Sequence, residues 1–200
     1  MQRVFGHRFL FGAVSLTALV GALAACDTAR PGSPLTPSAL SPSAFSTRLQ
    51  SDQTLLTNIR QATARFQNID VALAAGYVDD GFGCIDAAAF GLDPAAGGMG
   101  FHLINEALHA DPETDPLRPD LLVYEPAAGN QGKPRLVALE YEVFRPDWYR
   151  AGHTAPPTLL GHEFESFDFD TLQIFGLHLW LWRDNPSGMF EDFNPKVSCR

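Results

Sequence analysis

The stretch FGLHLWLW, Phe175–Trp182, alternates without a break: Leu177, Leu179 and Leu181 fall on one side of an extended chain, His178, Trp180 and Trp182 on the other. Both sides are apolar enough to be buried, so the segment reads as a strand with no wet face, inside a sheet covered on two sides. It also places an imidazole between tryptophans. An ionisable group in such a setting needs a reason.

Three further segments read as strands: GFHLI (100–104), DLLVYE (120–125) and PRLVALEYEVF (134–144), with LQIFGLHLWLW (172–182) as the fourth. PAAGNQGK, between the second and third, carries the turn residues of a hairpin. In LVALEYEVF one parity set, Val137, Leu139, Tyr141 and Val143, is purely apolar and faces the core, which leaves Glu140 on the opposite face with Leu136, Ala138 and Glu142. Glu125 shares a side with Leu121 and Val123, and His102 with Ile104. Each strand thus carries one ionisable residue in a largely apolar setting: His102, Glu125, Glu140 and His178. Burying a charge alone is costly, so these groups are expected to be paired, neutral or bound to a metal.

Ahead of the strands the period is helical. Leu56, Ile59, Thr63, Phe66, Asp70 and Leu73 recur at helical spacing with Leu55, Ala62 and Ile69 beside them, and Gly76 is placed to stop the helix. These elements predict an α+β fold: a long N-terminal helix packed on a curved, mainly antiparallel sheet of four or more strands. Tyr77–Gly100, rich in glycine, reads as an irregular segment. HEFESFDFD alternates acids with Phe164, Phe167 and Phe169, as an edge strand or lid would. RDNPSGMFEDFNP, with Asn-Pro twice, reads as consecutive turns.

The N-terminal end is of another kind. MQRVFGHR carries Arg3 and Arg8, and the 17 residues from Phe9 to Ala25 are uncharged, which is the form of a secretory signal and short for a membrane span. Leu23-Ala24-Ala25-Cys26 resembles the bacterial lipobox, which implies lipidation of Cys26 as the new N-terminus; the alternative is a simple cleaved signal beside an incidental cysteine. The resulting division is 1–25 lipoprotein signal peptide, 26–50 lipidated cysteine and disordered Pro/Ser/Thr/Ala-rich tether, and 51–200 a single globular domain. The expected location is extracytoplasmic, held on a bacterial membrane by the acyl chains. Asp27 resembles the inner-membrane retention signal of enteric lipoproteins.

Charge narrows the partners. The chain has 14 basic and 23 acidic residues, and loss of Arg3 and Arg8 with the signal leaves 12 against 23, net −11. Such a balance speaks against nucleic acid and against anionic lipid surfaces. With Cys26 assigned to lipid, Cys84 and Cys199 remain as a pair in an oxidising compartment, and a disulfide from the C-terminus to an early loop is expected.

Two readings of the four ionisable residues stay open. In one, His102 and His178 converge with Glu125 or Glu140 on a small ligand or a divalent transition metal in a sheet-lined pocket; two imidazoles and a carboxylate suit Zn, Fe(II) or Mn. An enzyme using His178 and Glu140 as acid and base is a variant of this reading. In the other, the residues pair with one another and only fix strand register. No HExxH or HxH spacing, GxSxG, Walker loop or GxGxxG is present, and DPETDPLRPD lacks the spacing of a Ca²⁺ loop. His109, His153 and His162 lie in polar or Pro/Gly-containing segments and are expected at the surface.

GGMGFHLIN, LLVYEP, LVALEYEVF and LHLWLWRDNPSGMFEDFNPKVSC together resemble a group of uncharacterised bacterial secreted or lipid-anchored proteins. The likeness runs from Tyr77 to Cys199 and departs at Glu106, where the group usually has proline. It implies a folded domain and brings no established activity.

Overall fold

The computed structural model describes residues 41–127, 132–169 and 172–199. Cys26, the signal and residues 27–40 of the tether therefore lie outside the described residues. Among the described residues no helix is long and apolar enough to cross a membrane.

Helix α1 spans Pro42–Thr63, starting inside the stretch that composition assigned to the tether. The start has a local cause: the Ser41 hydroxyl accepts from the Ala44 N–H, and Pro42 stands in the first turn, where its missing N–H costs nothing. Its first turns are exposed, and the buried stripe begins at Leu55 and Leu56 and continues through Ile59 and Thr63 to Phe66. The helix is not continuous to Gly76, as the periodicity suggested. A 3₁₀ turn, Ala64–Gln67, and an extended Asn68 (φ −96°, ψ 108°) separate it from α2, Ile69–Ala74, which Asn68 caps through the Asp70 N–H. The break rephases the stripe. Ala72 becomes the buried residue, whereas Leu73 is exposed.

The sheet consists of β1 (Val78–Asp79), β2 (Ile85–Asp86), β3 (Gly98–Ile104), β4 (Leu121–Glu125), β5 (Arg135–Phe144), β8 (Glu165–Phe169) and β9 (Leu172–Leu179), in the order β1-β3-β4-β5-β9-β8 with β2 also on β3. Every pairing is antiparallel. A separate hairpin joins β6 (Thr158–Leu159) to β7 (His162–Glu163), and short helices α3 (Glu106–His109) and α4 (Arg145–Arg150) follow β3 and β5. The class is α+β with an antiparallel sheet, and β4 and β5 form the hairpin read from the sequence.

One face of the sheet carries Leu103, Leu122, Tyr124, Leu139, Tyr141, Val143, Phe175, Leu177 and Leu179, all in one core with Ile59, Phe66 and Ala72. Each such buried aliphatic side chain stabilises by roughly 1.5–3 kcal/mol. Three of the four tyrosines bury their rings without orphaning their hydroxyls: Tyr124 donates to the Phe66 carbonyl (2.7 Å), Tyr77 to Pro119 (2.7 Å) and Tyr141 to Pro116 (2.8 Å).

Two departures from simple alternation follow from irregular backbone. Between Val123/Tyr124 and the pair Ala138/Leu136 the register slips past Val137, a β-bulge. Leu136 therefore joins the helix-side core, and Val137 joins Val123, Ala138, Trp180 and Val197 in a second cluster. The last strand also ends at Leu179 rather than 182. Trp182 turns toward the helix side, where the Arg60 guanidinium lies 5.2 Å from its ring centre.

The second face is covered by the C-terminal segment. Asn194 bridges to Gly98, and the Gly98 N–H donates to the Val197 carbonyl (3.1 Å). This approach needs glycine at Gly97 (φ 82°), where an added Cβ would lie 2.1 Å from the Asn194 carbonyl oxygen; Gly100 (φ 117°) is needed instead by the pairing of β3 with β4, since its Cβ would lie 2.4 Å from the Tyr124 carbonyl oxygen. Cys84 and Cys199 are disulfide-bonded across 115 residues of chain, tying the segment before β2 to the C-terminus.

Candidate functional site

Strand register brings three of the four sequence-selected residues together. His102 on β3 stands opposite Val123, Leu121 on β4 stands opposite Glu140, and Glu140 on β5 stands opposite His178 on β9. Cross-strand partners share a face, and so do residues two apart on one strand. His102, Glu140 and His178 are thus on the face turned away from the helix, with Glu140 in the middle. His102 and His178 are 3 % exposed and Glu140 is 7 %.

The atoms converge. His102 Nε2 is 3.3 Å and His178 Nε2 3.5 Å from the same Glu140 oxygen, Oε2. Those separations match the edges of a tetrahedron whose bonds are about 2.0–2.1 Å, as for Zn²⁺ with imidazole and carboxylate; such edges are about 3.3–3.4 Å. One ligand atom from each of the three residues can be chosen so that all lie within 4.8 Å of one another. Both nitrogens of His102 and Nε2 of His178 are buried without a hydrogen-bond partner; a shared cation would satisfy the two Nε2 atoms, which direct pairing with Glu140 leaves unbonded.

Each imidazole turns its other nitrogen to an aspartate. His178 Nδ1 is 3.3 Å from Asp192 Oδ1, and His102 Nδ1 is 3.7 Å from Asp80 Oδ2. Asp192 is positioned by the backbone on both sides of it: the Trp180 indole N–H donates to the Glu191 carbonyl, and the Asn185 amide donates to Phe193 (3.0 Å). Asp80 follows β1, and its N–H donates to the His102 carbonyl (3.3 Å). An imidazole between a carboxylate and a central oxygen is the arrangement that fixes ring orientation and tautomer in metal sites.

The electrostatics divide the two imidazoles. Burial, with the neighbouring His178 charge, holds His102 far below the usual histidine range, at about 3. Burial also works against charge on His178, but Glu140 and Asp192 on its two sides, with Glu142 beyond, outweigh it and raise the group. Burial raises Glu140, opposed by His178 and reinforced by Glu142, Asp192 and Asp80. Without a cation, burial thus opposes charge on all three groups, and the flanking carboxylates favour a proton on His178. A divalent ion would take the place of that proton.

Glu125 is not part of this group. It lies four residues beyond Leu121 on β4, about 13 Å along the strand. There it pairs with Arg135 (2.6 Å) and Arg183 (3.6 Å). Parity puts Glu125 on the same face but does not set its distance along β4. His109 is also not where it was expected: it is largely buried, 2.9 Å from Glu142 Oε2. His153 stacks on Trp148 (3.5 Å between ring centres) and reaches Glu113 at 3.0 Å, and His162 is exposed.

Asp80 and Asp192 were missed by the strand-by-strand reading because both lie in turns. The only hint was their place in the acidic, Gly- and Pro-containing segments VDDGFG and FEDFNP. Among the described residues, a surface cavity of about 520 Å³ beside Trp148 and His153 and one of about 310 Å³ between Glu125, Arg135 and Arg183 are lined by other residues than the three that converge. The chain matches no protein-family model, no curated protein and no solved structure.

Proposed function

We propose that this chain is an extracytoplasmic lipoprotein, anchored through Cys26, whose folded domain binds one divalent transition metal through His102 Nε2, Glu140 Oε2 and His178 Nε2. The anchor rests on the lipobox-like Leu23–Cys26 sequence, and the resemblance to bacterial secreted and lipid-anchored proteins is in keeping with it. The metal rests on one observation: two buried imidazoles from strands flanking β4 and β5 aim the same ring nitrogen at a single buried carboxylate oxygen. A register-fixing ion pair needs one histidine, and here there are two, with the second held neutral.

Two histidines and a carboxylate are the donors of His₂Glu zinc sites and of two-His-one-carboxylate iron sites. The depth of the group favours a bound ion sealed from solvent, whether the protein's task is metal storage, sensing or chemistry at the remaining coordination position. Helices α1 and α2 pack on the opposite face of the sheet.

The test is elemental analysis of the full-length protein purified in detergent without chelator. The expected result is close to one equivalent of a single transition metal, absent from Glu140→Gln. Substoichiometric metal that is unchanged in Glu140→Gln would remove the proposal and leave a structural His–Glu network.

A further inference from the structure

The two outer aspartates come from chain segments that have no strand pairing with each other. Asp80 lies on the turn between β1 and β2, four residues before Cys84; Asp192 lies on the C-terminal segment, seven residues before Cys199. The disulfide joins those same two segments. One covalent bond thus closes a strap that passes over the second face of the sheet and carries one carboxylate to each histidine.

Resting on the metal-site reading above, we propose that Asp80 and Asp192 are positioning residues for the metal, and that the Cys84–Cys199 bond sets the metal affinity by holding both over His102 and His178. Asp80, 3.7 Å from His102 Nδ1 and not hydrogen-bonded to it, acts on that ring through its charge; at Asp192 the chemistry is that of an outer carboxylate accepting the Nδ1–H of a ligating imidazole. It fixes the tautomer that leaves Nε2 free to bind, restricts ring rotation, and makes the ring a better donor. The geometry supplies a ranking. Asp192, at 3.3 Å and held by backbone contacts on either side, contributes more than Asp80 at 3.7 Å.

The strap is otherwise attached by short contacts. On the C-terminal side these are the Gly98–Asn194 bridge, the hydrogen bonds from Trp180 to Glu191, Asn185 to Phe193 and Asn194 to Asp184, and the burial of Val197 against Trp180 and Val123. On the other they are the two-residue pairings of β1 and β2 with β3. These keep the segments nearby without the cross-link but do not lock their separation, so removing the bond loosens the outer aspartates while the strands keep the three ligands in register. The disulfide here acts on affinity as well as on stability.

Co²⁺ and Zn²⁺ binding to the detergent-solubilised full chain, by titration calorimetry and by the visible Co²⁺ spectrum, separates the claims. The expected results are a loss of about 10–100-fold in affinity for Asp192→Asn, a smaller loss for Asp80→Asn, and a loss for Cys84→Ser/Cys199→Ser that does not add fully to the aspartate losses. The Co²⁺ spectrum at saturation should change in the aspartate variants, because ring orientation changes, while circular dichroism stays native. Asp184→Asn, which removes an exposed carboxylate paired with Lys196 on the same C-terminal stretch, serves as control and should bind as wild type does. Should the cysteine variant fail to fold, the aspartate pair still decides. Wild-type affinity in both Asp80→Asn and Asp192→Asn would overturn the inference and leave the metal reading standing; a wild type that binds neither ion would overturn both.

Discussion

Replacing His178 by alanine separates a metal centre from a structural ion pair, because the two predict different responses to zinc. In the chelated protein the imidazole, 3 % exposed, lies between Glu140 and Asp192, and both favour charge on it. Removing one partner of a buried pair leaves an uncompensated charge and costs about 3–5 kcal/mol. At about 2–4 °C per kcal/mol for a domain of this size, the chelated variant should melt roughly 6–20 °C below wild type. Adding Zn²⁺ at about a hundred times its dissociation constant stabilises a protein that binds only when folded by about 2.7 kcal/mol, or roughly 5–11 °C. Wild type should gain that amount and His178→Ala none. The assay is urea and thermal unfolding of both proteins with chelator and with Zn²⁺. A zinc gain of equal size in both proteins, or a chelated variant within about 1 kcal/mol of wild type, would refute the reasoning.

Four further outcomes are expected. Cys84→Ser, Cys199→Ser and the double variant should each lose about the same stability, roughly 4–5 kcal/mol for a closed loop of 115 residues, in urea unfolding; a double variant clearly worse than either single one contradicts a shared cross-link. Gly97→Ala should lose more than the ordinary alanine–glycine difference, since its Cβ would sit 2.1 Å from the Asn194 carbonyl oxygen, and a neutral result in the same assay would show that the C-terminal segment does not approach so closely. Asp120 is pushed up to about 7, chiefly by burial, so its contribution to stability is complete below the unfolded value near pH 4 and is lost as pH rises through about 7. Asp120→Asn keeps an acceptor for the Glu142 N–H and should match wild type near pH 4 yet exceed it by on the order of 2–4 kcal/mol at pH 8, where a pH-independent difference would count against it. Cys26→Ser should abolish incorporation of radiolabelled palmitate and release the protein from membranes; labelling at the wild-type level would remove the anchor.

Much of the fold and most of the site could be read from alternation. The parity of LVALEYEVF assigned Glu140 to the face away from the apolar core, and the parity of LHLWLW put His178 opposite the leucines; both hold because β5 and β9 pair without a slip from Leu139/Leu179 to Phe144/Ile174. Reading failed where the backbone departs from the strand period. The bulge at Val137 exchanged the faces of Leu136 and Val137, and the end of β9 at Leu179 sent Trp182 to the helix side. The helical stripe broke for a similar reason, since Asn68 competes with the helix by capping the next one. Glu125 shows a different limit: parity gives a face but not a position along the strand, and the register that sets Leu121 rather than Val123 opposite Glu140 depends on the hairpin and the bulge together. Asp80 and Asp192 had no periodic signal, because their positions depend on turns and on one disulfide.

The central claim, a cation held by three strand residues, is tested most directly by locating the ion. Anomalous diffraction collected at the absorption edge of the metal found in the purified protein should place one peak about 2.0–2.2 Å from His102 Nε2, His178 Nε2 and Glu140 Oε2 together, with Asp80 and Asp192 on the Nδ1 side of each ring. A peak elsewhere, at His109 and Glu142 or at His153 and Glu113, or no peak with Glu140 bonded directly to both imidazoles, would contradict it.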